Sequence, residues 1–355
     1  MAKTSVRVAI LGASGYSGAE LVRILAHHPN AEIAALTGER RAGKPLGEVF
    51  PHLAALNLPD LIAVDEVEWS GLDVDVVFSA LPHGASQKLA RKLLGALRPA
   101  SMRLIDLAAD FRLADPAAYR QWYGHDHAAV DLQPRAAYGL TEFAREAVRG
   151  TNLIACPGCY PTSALLPLVP LLEDAAILPT EIIIDAKSGV SGAGRAEKEA
   201  NLFCEVAEAI HPYGIASHRH APEIEQSLTR AADEPVTVSF TPHLVPMNRG
   251  ILATIYMRLA EGVTAADARQ VLVDRFADEP FVTVLDGQQV PSTRIVRGTN
   301  RCALNVFADR APGRAIIVSA IDNLVKGAAG QAVQNMNVVF GLAEAAGLDL
   351  EPLFP

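Results

Sequence analysis

The chain is short of cysteine and of aromatic rings, and it lacks any long apolar run. Four cysteines in 355 residues are too few for a disulfide framework, which excludes the small stapled secreted folds and fits a reducing compartment. No apolar stretch approaches the roughly 20 residues that a membrane span needs, so no membrane partner is expected and the cytoplasm is the expected location. Positive charge is also scarce. Lys and Arg number 31 against 40 Asp and Glu, a net charge of −9, which argues against a nucleic-acid surface. Met1-Ala2-Lys3-Thr4-Ser5 passes straight into an apolar strand, so no leader is expected. Internal repeats and low-complexity segments are missing too. What remains is an ordinary globular composition, 50% hydrophobic and 20% charged, too long for one core and so expected to form two domains.

Val6–Leu11 is a run suited to a buried parallel strand. Gly12-Ala13-Ser14-Gly15-Tyr16-Ser17-Gly18 follows, then Ala19–Leu25 with helical spacing. Strand, glycine loop and helix in that order are the context of a dinucleotide site, where glycines let the backbone approach a pyrophosphate and the helix start supplies N–H donors. The spacing is GxxGxxG, which alone is weak evidence. The second strand, Ala31–Thr37, ends in Thr37-Gly38, where NAD-preferring folds usually place an acid. Arg40, Arg41 and Lys44 follow and suit the 2′-phosphate of NADP, with Ser17 as a further donor. Glu39 is a competing feature, since it could hold an NAD ribose. Asp75–Leu81 and Leu104–Leu107 read as further strands. The second leads to Asp110-Phe111-Arg112, where Arg112 is a candidate fork for a carboxylate or phosphate. His125 and His127 are two residues apart, but further ligands at metal spacing are missing, so no metal is expected.

The densest chemistry lies in Cys156-Pro157-Gly158-Cys159-Tyr160-Pro161-Thr162. Cys159 follows a Pro-Gly turn and opens an apolar run that reads as a helix, and free N–H groups at a helix start favour a thiolate. Cys156 makes the motif formally CxxC, yet no thioredoxin-sized domain surrounds it. Cys204 and Cys302 read as packing residues. Strands are expected over 181–186, 236–240, 251–257, 303–307 and 315–320, with few helices between them, which suggests an α+β domain. Lys187–Arg195 is a second glycine-rich loop, able to line a cofactor through Ser188 and Gly189 or merely to turn the chain. His218-Arg219-His220, before a helix start at Ala221-Pro222-Glu223, supplies two candidates for a general acid/base of near-neutral pKa.

Together, Gly12–Gly18, Ala108–Arg112, Tyr138–Glu142, Pro157–Thr162, Ser188–Arg195, His218–Ile224 and Thr241–Gly250 resemble the N-acetyl-gamma-glutamyl-phosphate reductase family of the aspartate-semialdehyde dehydrogenase superfamily, almost from end to end. The resemblance implies an α/β fold: a Rossmann-like doubly wound NADP-binding domain over 1–158 plus 323–355, and an α+β catalytic, substrate and oligomerisation domain over 159–322. It implies that Cys159 is the nucleophile of an NADP-dependent acyl-phosphate reductase, a phosphorylating aldehyde dehydrogenase. His218 or His220 would shuttle the proton, with a slight preference for His220. Arg112 and Arg249 would meet the substrate's carboxylate and phosphate, and Asn323 the nicotinamide end of NADP. It also implies a homodimer or homotetramer. Pro167 departs from the family pattern and is expected to kink the helix. The alternatives are a sister reductase for aspartyl or carrier-linked aminoadipyl phosphate, and a catalytically silent NADP-sensing module.

Overall fold

A computed structural model describes residues 5–69, 71–94 and 102–354. Met1–Thr4, on which the expectation of no leader partly rests, lie outside the described residues. Among them the chain divides into two compact units, 1–157 with 328–349, and 158–327 with 350–355. Gly158, residues 323–327 and residues 350–355 therefore fall in the second unit, where the sequence-based boundary had put them in the first.

The first unit is a parallel sheet. Its strands are β1 (Val6–Leu11), β2 (Ala31–Thr37), β3 (Leu61–Ile62), β4 (Val76–Ser79), β5 (Arg103–Asp106), β6 (Ala136–Tyr138) and β7 (Leu153–Ala155). They lie in the order β3-β2-β1-β4-β5-β7-β6, with every pairing parallel. This is a doubly wound sheet whose order reverses between β1 and β4, where such sheets bind ligands. Apart from Arg7 in β1, both β1 and β4 are buried on both faces, which is why they read as near-continuous apolar runs. Helix α1 (Tyr16–Leu25) follows β1, and α2 (Ser86–Leu94) follows β4. The short strands β3, β6 and β7 were missed in the sequence because two or three residues carry no readable period.

The second unit is a mixed sheet of β8 (Ile182–Gly189), β9 (His211–Pro212), β10 (Val238–Val245), β11 (Ile251–Arg258), β12 (Val282–Val284), β13 (Cys302–Ala308) and β14 (Arg314–Ile321). Their order is β12-β13-β14-β11-β8-β10-β9. Burial alternates strictly along β10 and β11, the signature of a sheet with one covered face. Helix α3 (Cys159–Glu173) packs on β11 and β14 and against two further helices, α4 (Ala221–Ala232) and α5 (Ala265–Arg275).

The expected kink at Pro167 does not shorten α3. One helix runs from Cys159 to Glu173 with Pro167 and Pro170 inside it. Every residue from Tyr160 to Leu172 is buried, and each fully buried Leu contributes about 1.5–3 kcal/mol. That sum exceeds the roughly 3 kcal/mol cost of each interior proline. A π turn precedes the chain's last long helix: β14 ends at Ile321, the π turn spans Val325–Ala329, and the α-helix is Gly330–Val339.

A buried acid network ties β4 and β5 to the start of α2. Ser86 Oγ donates to Asp106 Oδ1 at 2.7 Å, while Asp110 accepts the N–H groups of Gly84 and Ser86. Asp106 Oδ2 has no hydrogen-bond partner among the described residues. Burial, reinforced by the nearby charge of Asp110, pushes Asp106 up to about 7. A carboxyl whose folded pKa lies above its unfolded value of 3.8 stabilises the fold fully below 3.8. That contribution is lost as pH rises through about 7. Asp106→Asn, which cannot ionise, should therefore gain thermal stability relative to the parent between pH 4 and 8. Each kcal/mol is worth roughly 2–4 °C of Tm in a domain of this size. Melting curves across that range check it, and parallel pH profiles for the two proteins would contradict it.

Candidate functional site

The nucleotide loop lies in the first unit. Gly12 sits at φ +78°, and a Cβ there would come within 2.5 Å of Ala80 O, so the turn admits only glycine. A Cβ on Gly18 would strike Gly12 O at 2.3 Å, so this glycine serves the packing of α1 on the loop. Gly15 is different. A Cβ there would meet nothing nearer than Gly12 O at 3.4 Å, so the protein itself does not require glycine at this point. The missing side chain leaves the start of α1 open, and no side chain caps that start. A pyrophosphate fits such a cradle.

Other predicted cofactor residues fall around it. Thr37 is buried. Its Oγ1 accepts the Gly12 N–H at 3.1 Å and its carbonyl accepts the Ala13 N–H, so it anchors the loop and its hydroxyl is spent on the protein. Arg40 and Arg41 are exposed on a short 3-10 turn after β2. Glu39, the competing feature for an NAD ribose, accepts the Val64 N–H at 3.0 Å. Lys44 shares its charge with Glu48. Tyr16 and Ser17 begin α1, and Ser14 lies beside Gly38.

Arg112, expected to meet substrate, is buried in this unit. Its Nε donates to Cys156 O and its Nη2 to Leu107 O, both at 2.8 Å, so these donors brace two backbone carbonyls. Cys156 is fully buried, and burial pushes its thiol up to about 12. Its Sγ faces Asn335 Nδ2 at 3.8 Å. It stays a protonated packing residue, in keeping with an incidental CxxC. His127 has both ring nitrogens engaged: Nε2 meets Asp110 O at 2.6 Å and Nδ1 accepts the Ala129 N–H.

The thiol site lies in the second unit. Cys159 is the first residue of α3, half-buried, with Gly158 at the N-cap. Gly158 N–H donates to Glu223 Oε1 at 2.7 Å, and Glu223 is itself buried in the first turn of α4. A carboxylate 65 residues away thus fixes the chain immediately before Cys159. Thr162 holds the same turn from the other side, its Oγ1 and N–H both donating to Gly158 O.

Both histidines of the His-Arg-His segment come to Tyr160. The ring centroids of His218 and His220 lie 5.6 and 5.8 Å from it, and 4.8 Å from each other. His218 also packs edge-on to Tyr213 and Phe240. Burial, aided by the Arg219 charge, lowers His218 to about 4. Its Nδ1 accepts the His220 N–H at 3.1 Å, which leaves the ring hydrogen on Nε2. His218 is therefore a neutral, fixed donor near pH 7. His220 stands at the N-cap of α4, half-buried. Tyr160 and Tyr213 share a hydrogen bond of 2.8 Å between hydroxyls. Burial pushes Tyr213 up to about 12, and the charge on Cys159 adds to that.

Ser188, Gly189, Arg249 and Asn323 also come together here. Gly189 N–H donates to Gly250 O, and a Cβ on Gly189 would press within 2.8 Å of Arg249 N, so two loops lie backbone to backbone. Asn323 Oδ1 accepts the Gly250 N–H, and its Nδ2 donates to Ser191 Oγ. Ser188 Oγ donates to Gly189 O. Arg249 is partly exposed, its Nη1 3.6 Å from Asp322. Sequence reading did not single out Glu223, Tyr213 or Asp322. Glu223 carried a signal, an acid three residues after His220 at a helix start, but its partner lies far off in sequence. Cys204, expected to be packed, is exposed beside Phe203.

The first unit's sheet and the second unit's thiol site correspond to two matched family models. Residues 7–151 match the semialdehyde dehydrogenase NAD binding domain, and 159–323 the semialdehyde dehydrogenase dimerisation domain. These define the class, a semialdehyde dehydrogenase with its oligomerisation domain. The fold agrees. Aspartate semialdehyde dehydrogenase II from Vibrio cholerae superposes with a TM-score of 0.70 at 20% identity, covering 94% of this chain and 98% of its own. The aspartate semialdehyde dehydrogenase with NADP from Candida albicans gives 0.66 at 19% identity, covering 94% and 98%. Closer in sequence is N-acetyl-gamma-glutamyl-phosphate reductase of Rhodospirillum rubrum, 57% identical over 350 residues and 99% of both chains. The reductase of the same name from Afipia carboxidovorans is 53% identical over 97% of both. The chain belongs to the N-acetyl-gamma-glutamyl-phosphate reductase family. Among the described residues no helix is long and apolar enough to cross a membrane.

Proposed function

We propose that the protein reduces N-acetyl-L-glutamyl 5-phosphate to N-acetyl-L-glutamate 5-semialdehyde and phosphate with NADPH, a step of arginine biosynthesis, in line with the reductase named in its relatives. The observation that carries this reading is Cys159 at the start of α3, with Glu223 fixing Gly158 and two histidines on Tyr160. Cys159, deprotonated by His220, adds to the acyl carbon. The carbon–oxygen bond to phosphate breaks, phosphate leaves with the electron pair and takes its proton from His220, and the acyl group remains as a thioester. The Gly12–Gly18 loop with Arg40 and Arg41 would hold NADPH, which would supply the hydride for reduction of that thioester. Cys159 then leaves the reduced carbon as thiolate, and the carbonyl of the aldehyde forms. His220 takes up a proton from solvent and passes it to the thiol for the next cycle.

His218 donates a hydrogen bond from a neutral ring throughout, because its low pKa keeps it from cycling at neutral pH. Arg249 is assigned to a substrate anion in preference to Arg112, whose donors brace backbone carbonyls. Asn323 and Ser188 shape the loops beside it. The protein works as a cytoplasmic homodimer or homotetramer assembled through the second unit. Phosphate-dependent NADP reduction with N-acetyl-glutamate semialdehyde, run beside aspartate semialdehyde, tests the substrate. The first aldehyde should be preferred by at least 100-fold in kcat/KM, on the order seen where a buried polar group is left unpaired by the wrong ligand. Equal rates, or a preference for aspartate semialdehyde, would overturn it.

The coenzyme preference rests on Arg40 and Arg41 and on the engagement of Glu39 with Val64. Changing both arginines to alanine should raise KM for NADPH about 10- to 100-fold, since charge-assisted contacts to a charged group are worth about 1.5–3 kcal/mol. KM for NADH should hardly move. Steady-state kinetics with both coenzymes check this, and equal losses for the two would contradict it.

A further inference from the structure

Asp322 has no exposed surface and follows the last residue of β14. Its two carboxylate oxygens face different segments. Oδ1 accepts the N–H groups of Leu324 and Val325 at 2.8 and 3.1 Å, which starts the π turn over Val325–Ala329. Oδ2 accepts the Gly298 N–H at 2.7 Å and lies 3.6 Å from Arg249 Nη1. The backbone carbonyl of Asp322 takes the Gly327 N–H at 2.9 Å, the wide five-residue bond of a π turn.

That turn ends against the nucleophile. A Cβ on Gly327 would lie 2.7 Å from Cys159 Cβ and 3.2 Å from Cys159 Cα, so the backbone of the turn is in direct contact with the residue that does the chemistry. One buried carboxylate therefore sits between a partly exposed arginine, suited to a substrate anion, and the surface that seats the thiol. The next residue, Asn323, closes the same assembly by tying Gly250, the neighbour of Arg249, to Ser191.

We propose that Asp322 is a positioning residue that couples anion binding at Arg249 to the placement of Cys159. The inference rests on the reading of Arg249 and Cys159 given above. When an anion draws the guanidinium, the pull falls on Asp322 Oδ2. The π turn hangs from the other oxygen of the same carboxylate, so its register against Cys159 follows. Asparagine at this position keeps the shape, but its amide nitrogen cannot accept a hydrogen bond. It therefore loses either the Arg249 and Gly298 side or the π-turn side.

The test uses the full-length protein. Alkylation by iodoacetamide is followed by mass at each cysteine peptide, with exposed Cys204 as the reference for reagent and buried Cys302 as the reference for unfolding. Asp322→Asn should slow alkylation of Cys159 at least fivefold while Cys204 and Cys302 keep their parent rates. In turnover it should lower kcat and raise KM for the acyl phosphate together, each by tenfold or more, with KM for NADPH within twofold. Arg249→Gln is the second variant, since a partly exposed side chain is less needed for folding. It should change the Cys159 alkylation rate in the same direction. Parent-like Cys159 alkylation in both variants overturns the proposal, as does a loss in Asp322→Asn that appears equally at Cys302. If Asp322→Asn does not fold, the Arg249→Gln rate decides alone. A parent protein with no acyl-phosphate reductase activity would sink the functional reading, whereas the alkylation rates would still decide the coupling.

Discussion

Cys159→Ala should abolish turnover, with kcat falling on the order of 10⁴-fold or more, as removal of a covalent nucleophile does when the rest of the site persists. NADPH binding should be unchanged, because the loop that would hold the coenzyme is built from Gly12, Gly15 and Gly18 and anchored by Thr37. The substitution removes one partly exposed sulfur from the start of a helix whose remaining length is buried, so the fold should stand. Stopped-flow quenching of NADPH fluorescence together with steady-state rates checks both halves. Retained activity above a hundredth of the parent would remove Cys159 from the mechanism. Loss of NADPH binding would mean that the variant had disturbed far more than the thiol.

His220→Asn should lower kcat by about 10²–10⁴-fold, the usual worth of a positioned acid/base, with a smaller change in KM. His218→Asn should cost less in kcat at neutral pH and reveal itself in stability instead. The folded pKa of His218, about 4, lies below its unfolded value of 6.5. Between those values the unfolded chain binds more protons, so the parent loses stability as pH falls from about 6.5 toward 4. The asparagine variant lacks this loss, and its melting temperature should fall less over that window. The two variants thus separate the histidines by different observables, kcat for one and acid stability for the other. A larger kcat loss in His218→Asn than in His220→Asn would reverse the assignment.

The nucleotide unit was legible because its signals are local. β1 and β2 lie at the boundaries the apolar runs suggested, and the glycine loop between strand and helix needs only adjacent residues. The place of Cys159 at a helix start was legible for the same reason, since a Pro-Gly turn and an apolar run stand side by side. The parts that escaped are those made by distance in sequence. Glu223 meets Gly158 across 65 residues, and Asp322 meets Arg249 across 73. Neither carries a periodicity or a spacing that marks it. The backbone partners of Arg112 are of the same kind: its Nε and Nη2 donate to the carbonyls of Cys156 and Leu107, the first 44 residues away, and no local pattern marks that. The helix from Cys159 was expected, but its unbroken run past Pro167 and Pro170 was not, because burial of its apolar side chains outweighs what the prolines cost locally.

A thioester on Cys159 should accumulate when the reaction is run backward without phosphate. With N-acetyl-glutamate semialdehyde and NADP but no phosphate, aldehyde, thiol and NADP give thioester, NADPH and a proton, and the cycle stops there. A burst of one NADPH per site should appear, with the N-acetyl-glutamyl acyl mass on the Cys159 peptide alone, and added phosphate should discharge it and restore steady turnover. No burst, or an acyl mass on another residue, would contradict the account.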